Sequence, residues 1–173
     1  SLAMVCVLAS MVFAGISGSS TADTAAVGAI LMPAMREKGY DMRFASVLQA
    51  GAGAIGPIIP PSILMVLIGY STNTSVGQLF MCGIIPGILV GVSLMVYSYI
   101  HASRRGSAYV STAPFDFKTA MKKTWIAMPG IGLPFIIIFG IVGGVFTATE
   151  GAGIAVLYGL IVALFVYKEI TVK

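Results

Sequence analysis

Two glycine- and proline-broken stretches inside strongly apolar sequence constrain this chain most: residues 15–23 (GISGSSTAD) and residues 51–62 (GAGAIGPIIPPS). Hydrocarbon offers backbone N–H and C=O groups no partner, so unwound backbone at membrane depth persists only where protein buries it or it lines a cavity. The surroundings do read as membrane sequence. Hydrophobic residues are 58% of the chain and charged residues 9%, with a mean hydropathy of +1.00, whereas an ordinary soluble domain is about a quarter charged. Paired interruptions in such a setting point to an ion or substrate site.

The apolar runs set the organisation. Residues 1–35 form two apolar arms around the polar segment 17–23, and the second arm, residues 24–35, has about twelve residues. As helix that is roughly 18 Å, short of a bilayer core of about 30 Å. A re-entrant helical hairpin with its tip at residues 17–23 is therefore expected. Residues 44–70 are long enough to cross, but Pro57, Pro60 and Pro61 each remove a helical N–H and free a carbonyl four residues earlier. One span broken in its middle is expected there, followed by a regular span at 79–100 with Gly83, Gly87 and Gly91 on one close-packing face.

Residues 101–124 read as a loop carrying a short interfacial helix at 114–123, and residues 125–173 as two further spans, 125–145 and 151–167. The ten Lys and Arg lie outside the long apolar runs, in segments 36–43, 101–123 and 168–173. All three segments can be cytoplasmic, since two spans separate each from the next. The basic balance thus reports topology, and nucleic acid is not an expected partner. Cys6 and Cys82 lie singly in apolar sequence and are expected to be buried thiols. Ser1 opens inside an apolar run, so the chain is expected to be a piece of a longer membrane protein.

At the tip, Ser17, Ser19, Ser20 and Thr21 bring four hydroxyls beside Gly18 and a helix start. Either a hard cation or a carboxylate fits such a place. The alternative is that Ser20 and Asp23 form an N-cap pair and the hydroxyls satisfy a turn. In the broken span, the carbonyls freed by the three prolines belong to Gly53, Gly56 and Pro57, and a desolvated cation is one candidate partner; a kink satisfied by Ser62, a neighbouring helix or water is the other. Thr147 and Glu150, flanking Ala148 and Thr149, have capping-box spacing, while Glu150 and Asp23 are the two acids that interrupt apolar sequence. His101 ends a span beside Arg104 and Arg105, an interfacial position. There is no nucleophile–base pair, phosphate loop or metal cluster to support an enzyme.

The motifs SGSSTAD (17–23), MREKGY (35–40), IPPSI (59–63), GQLF (77–80), GIIPG (83–87) and FTATE (146–150) resemble, in order, those of the large membrane subunit of tripartite ATP-independent periplasmic (TRAP) transporters, dicarboxylate-type branch. In that family a proline usually separates the two threonines of the last motif, where this chain has Ala148. The resemblance implies an all-α integral membrane fold with a re-entrant hairpin and a discontinuous helix. It further implies an elevator-type secondary transporter with inverted repeats, incomplete here, of which this chain covers the first repeat and the start of the second. Na⁺ is the implied coupling ion, with no other cofactor or metal. The implied sodium site is Ser17, Ser19, Ser20 and the backbone of Gly53, Gly56 and Pro57. Gly18, Thr21, Pro60, Pro61 and Ser62 are placed toward substrate or behind the ion ligands, and Asp23, Thr147, Thr149 and Glu150 are polar or capping residues. Implied partners are a small integral membrane subunit, a soluble periplasmic binding protein, a small carboxylate (C4-dicarboxylate, sialic acid or keto acid) and the lipid bilayer. The implied location is the bacterial inner membrane. By itself such a piece should not transport. The rival readings are a passive channel and a structural membrane subunit.

Overall fold

A computed structural model describes residues 1–104 and 117–168. Among them every regular element is a helix: α1 (Leu2–Ser17), α2 (Ser20–Glu37), α3 (Met42–Gly53), α4 (Ile63–Thr72), α5 (Val76–Arg104), α6 (Phe117–Val142) and α7 (Ala148–Ile161), the last continued by a π-helical turn at Val162–Tyr167. Three stretches are long and apolar enough to cross a membrane, Val76–Arg104, Met121–Val142 and Ala148–Tyr167. Their surfaces carry exposed Leu, Ile, Val and Phe, the arrangement expected where lipid is the solvent. The helices fall into two units, α1–α5 and α6–α7.

In the first unit, α1 and α2 form the expected hairpin. Gly18 closes α1 in the left-handed conformation (φ 60°), and Ser19 opens α2 in an extended one. At the open end, Ala3, Cys6 and Val7 of α1 share one core with Met35, Tyr40, Ala45, Leu48, Ala52 and Ala102. The second arm is longer than the twelve residues expected: α2 has 18 residues, about 27 Å at 1.5 Å per residue. Its helix runs through the polar first turn because Ser19 caps it, and continues past Pro33 to Glu37.

The broken span is present as α3 and α4, separated by irregular backbone at residues 54–62 that includes a cis Pro60–Pro61 bond. α5 packs its glycine face where the sequence placed it. A β-carbon on Gly83 would stand 2.5 Å from Ile58 O, one on Gly87 would stand 2.5 Å from the Ile59 side chain, and one on Gly91 would collide with Met11. At the end of α5, His101 stacks on Phe44 with ring centroids 3.9 Å apart, tying α5 to α3. Cys6 is buried as expected, but Cys82 is exposed, because it lies on the outer face of α5 beside the exposed Met81 while Gly83 faces inward.

In the second unit, α7 packs on α6, with Tyr158 Oη donating to Pro129 O at 2.7 Å and Tyr167 Oη to Ile126 O at 2.8 Å. The segment read as a separate interfacial helix, from Phe117 onward, is continuous with the following span: no glycine or proline interrupts residues 117–128, so α6 propagates without a break. Residues 105–116 of the expected loop, and 169–173 of the basic tail, lie outside the described residues.

Candidate functional site

The hairpin tip is seated on the break of the α3–α4 span, backbone against backbone. A β-carbon on Gly18 would stand 2.6 Å from Pro61 O and 3.0 Å from Ser62 Cα. One on Gly53 would collide with Thr24 Oγ1 and stand 3.1 Å from Ser20 O, and one on Gly56 would collide with Asp23 Oδ2 and stand 3.2 Å from Ser20 N. Three glycines from the two broken motifs thus allow close approach, Gly18 to the backbone of residues 61 and 62, and Gly53 and Gly56 to the Thr24 and Asp23 side chains and the Ser20 backbone, which is the use glycine serves where a side chain must be absent.

Asp23 is the centre of this contact. It is 0% exposed, its Oδ1 accepts a short hydrogen bond from Ser17 Oγ, and its Oδ2 is buried without a hydrogen-bond partner. The described contacts bring it no Lys or Arg. A buried carboxylate without a counter-charge is costly, and the start of α2, whose free N–H groups carry partial positive charge, offsets only part of that cost. Ser17 Oγ also accepts from Ser19 N at 3.1 Å, so the same hydroxyl fixes both the tip backbone and the carboxylate.

The remaining residues divide by role. Ser19 is the N-cap of α2, accepting from Ala22 N at 3.5 Å and lying 3.1 Å from Thr21 Oγ1. The expected cap pair of Ser20 and Asp23 is therefore corrected: the cap falls one residue earlier, which releases Asp23 to turn inward toward Gly56. Ser20 lends backbone to the contact with Gly53 and Gly56, and Thr21 is exposed. Ser62, 1% exposed, caps α4 by accepting from Met65 N at 3.4 Å, and no described hydrogen bond joins it to the carbonyls freed by the prolines.

Of the carbonyls freed by proline, Gly53 O is taken by Gly56 N at 3.1 Å in a turn, whereas the described hydrogen bonds give Gly56 O and Pro57 O no donor. Pro60 is buried in the break. Thr147 and Glu150 belong to the second unit and form the capping box read from their spacing: Thr147 N donates to Glu150 Oε2 at 2.7 Å and Glu150 N to Thr147 Oγ1 at 3.3 Å. Thr149 is exposed beside them.

Two residues of this region were not singled out from sequence. Thr24 donates from Oγ1 to Ser20 O at 2.7 Å and rests on Gly53. Gln49, 2% exposed, reaches from α3 to the backbone of Asp23 and Thr24. The signal for Gln49 was available, since it is the one amide or charged side chain in residues 44–70.

The oxygens of this region are the unpartnered carboxylate oxygen of Asp23, the Ser17 hydroxyl and, on the break, the Gly56 and Pro57 carbonyls, and oxygen donors of this kind suit a hard cation; no cluster of His, Cys, Asp and Glu suited to a transition metal occurs among the described residues. A helical hairpin whose tip packs on the break between two helices, beside helices long and apolar enough to cross a membrane, has the architecture of a membrane transport protein. The chain belongs to the family described as tripartite ATP-independent periplasmic transporter, DctM component, which it matches over residues 1–173. It is 45% identical over 161 residues to the isethionate TRAP transporter permease protein DctMQ of Oleidesulfovibrio alaskensis, covering 93% of this chain and 25% of that protein. It is 41% identical over 169 residues to the C4-dicarboxylate TRAP transporter large permease protein DctM of Vibrio cholerae, covering 97% of this chain and 37% of the relative. It is 43% identical over 174 residues to the 2,3-diketo-L-gulonate TRAP transporter large permease protein YiaN of Escherichia coli, covering 98% and 40%. The chain thus spans a quarter to two-fifths of the length of these relatives. The family is one of multi-pass membrane transport proteins and not of enzymes.

Proposed function

We propose that this chain supplies one half of the ion and substrate site of a Na⁺-coupled secondary transporter for small carboxylates, of elevator type, in a bacterial inner membrane. Its complete permease works with a small integral membrane subunit and a soluble periplasmic binding protein that delivers substrate. The relatives are named for isethionate, C4-dicarboxylate and 2,3-diketo-L-gulonate, all anions, which supports an anionic substrate without choosing among them.

The observation that carries the reading is the buried, unpartnered Oδ2 of Asp23 set against Gly56. Na⁺ is held by Asp23 Oδ2, Ser17 Oγ and the carbonyls of Gly56 and Pro57, with Gly53, Ser19 and Ser20 shaping the edge of the site. The ion supplies the missing positive charge and bridges tip and break, so its arrival fixes the two against each other. Gly18 meets Pro61 and Ser62 at the same junction, with Pro60 buried beside them and Thr21 exposed on the first turn of α2, and the N-terminal ends of α2 and α4 there would favour a carboxylate.

The test is uptake of a labelled carboxylate panel into proteoliposomes that hold the full-length permease, its small membrane partner and its binding protein, with and without a Na⁺ gradient. Uptake that requires both Na⁺ and the binding protein is expected. Flux that follows the substrate gradient and ignores both means a passive channel, and no flux with an intact complex means a structural subunit; either overturns the proposal.

A further inference from the structure

Gln49 sits where α1, α2 and α3 meet. Its Nε2 lies 3.5 Å from Asp23 O and 3.5 Å from Thr24 O, while Cys6 Sγ donates to its Oε1 at 2.8 Å. The orientation of the amide follows from its partners: two helix carbonyls only accept, so the NH₂ faces them and the oxygen is left for the thiol. Its Cγ lies against Gly28, one turn beyond Thr24 on α2. Asp23 and Cys6 are buried and Thr24 is half-buried; the two α2 carbonyls also serve their own helix, so removing the amide takes away the tie between α2 and α3 and leaves the Cys6 thiol without its acceptor.

The position of this clamp is informative. Gln49 lies one turn before Gly53 on α3, and Gly53 receives Thr24 of the same α2 turn. From its backbone carbonyl Asp23 is tied to Gln49, and from its carboxylate it faces Ser17 and Gly56. The amide thereby fixes the height of the first turns of α2 along α3, and this height decides whether Oδ2 meets the break.

We infer that Gln49 is a positioning residue for the cation site, locking the first turns of α2 to α3 so that Asp23 Oδ2 is held against Gly56; the functional part of this role rests on the Na⁺ reading above. Cys6 completes the clamp by holding the amide oxygen from α1.

The test is Gln49→Leu in the full-length permease, read two ways. Amide hydrogen exchange over residues 22–28 is expected to rise about fivefold, with α7 unchanged, the scale of losing a single net hydrogen bond. The Na⁺ concentration for half-maximal uptake is expected to rise by a similar factor of about five, with the maximal rate at saturating Na⁺ retained. Unchanged exchange in an inserted protein overturns the inference, as does a lower maximal rate with an unchanged Na⁺ requirement, which marks a packing role only. Should Gln49→Leu fail to insert, Cys6→Ala decides: faster exchange over residues 22–28 by about twofold, restored by Cys6→Ser, is expected, and no change overturns it. If wild-type uptake ignores Na⁺, the Na⁺ reading fails while the exchange measurement still decides the clamp.

Discussion

Gly56 leaves room for the carboxylate of Asp23: a β-carbon at position 56 would collide with Oδ2. The glycine is thus as much a part of this contact as the acid is. Gly56→Ala is expected to raise the Na⁺ requirement of uptake by about tenfold or more, the scale of misplacing one charged ligand, while the protein inserts normally. A Na⁺ titration of uptake checks it.

Asp23→Asn keeps the shape of the side chain and removes its charge. Since the carboxylate is buried and its Oδ2 has no partner, the neutral amide is expected to leave thermal stability equal or improved while Na⁺ stimulation of uptake is lost. A melting curve together with Na⁺-dependent uptake checks both halves, and a large drop in stability contradicts the expectation.

Gly18→Ala meets two obstacles at once, the left-handed backbone and the 2.6 Å approach to Pro61 O. The backbone conformation alone costs about 1–2 kcal/mol, and the contact forces the tip off the break. Lower melting temperature and lower uptake are expected together. Gly39→Ala is the control, since Gly39 also has positive φ yet has nothing within contact of a β-carbon, so it should lose stability through backbone strain while keeping its Na⁺ dependence.

Thr147→Ala removes the hydroxyl that caps α7 and the partner of Glu150. A loss of about 0.5–2 kcal/mol is expected, with the Na⁺ concentration for half-maximal uptake unchanged. A shift in that concentration would assign Thr147 to ion binding instead of capping.

The hairpin, the broken span, the glycine face of α5 and the capping box at Thr147 were legible because each depends on neighbours close in sequence. Proline spacing predicts a break wherever it occurs, and a Thr followed three residues later by Glu caps a helix through local geometry. What local pattern could not resolve was register. Ser19 and Ser20 are chemically equal as caps, and choosing between them turns Asp23 from a surface group into a buried one. The choice is made by the distant chain at Gly53 and Gly56, which must receive the tip. The length of α2 is hidden for the same reason: residues 20–23 have the composition of a turn, and only the Ser19 cap makes them helix. Gln49 stayed unread because a lone amide in a span has no meaning until its partners on α1 and α2 are known, and α6 was divided because charge alternation in residues 117–123 resembles a surface segment although nothing there stops a helix.

The junction of tip and break is fitted at Gly18, Gly53 and Gly56, which meet the backbone of residues 61 and 62, the Thr24 hydroxyl and the Asp23 carboxylate. Side chains that touch neither this junction nor Gln49 are under no such constraint, so a lineage could alter them while tip and break keep their fit. In such a protein the positions that look like spacers are the ones evolution has least liberty to move.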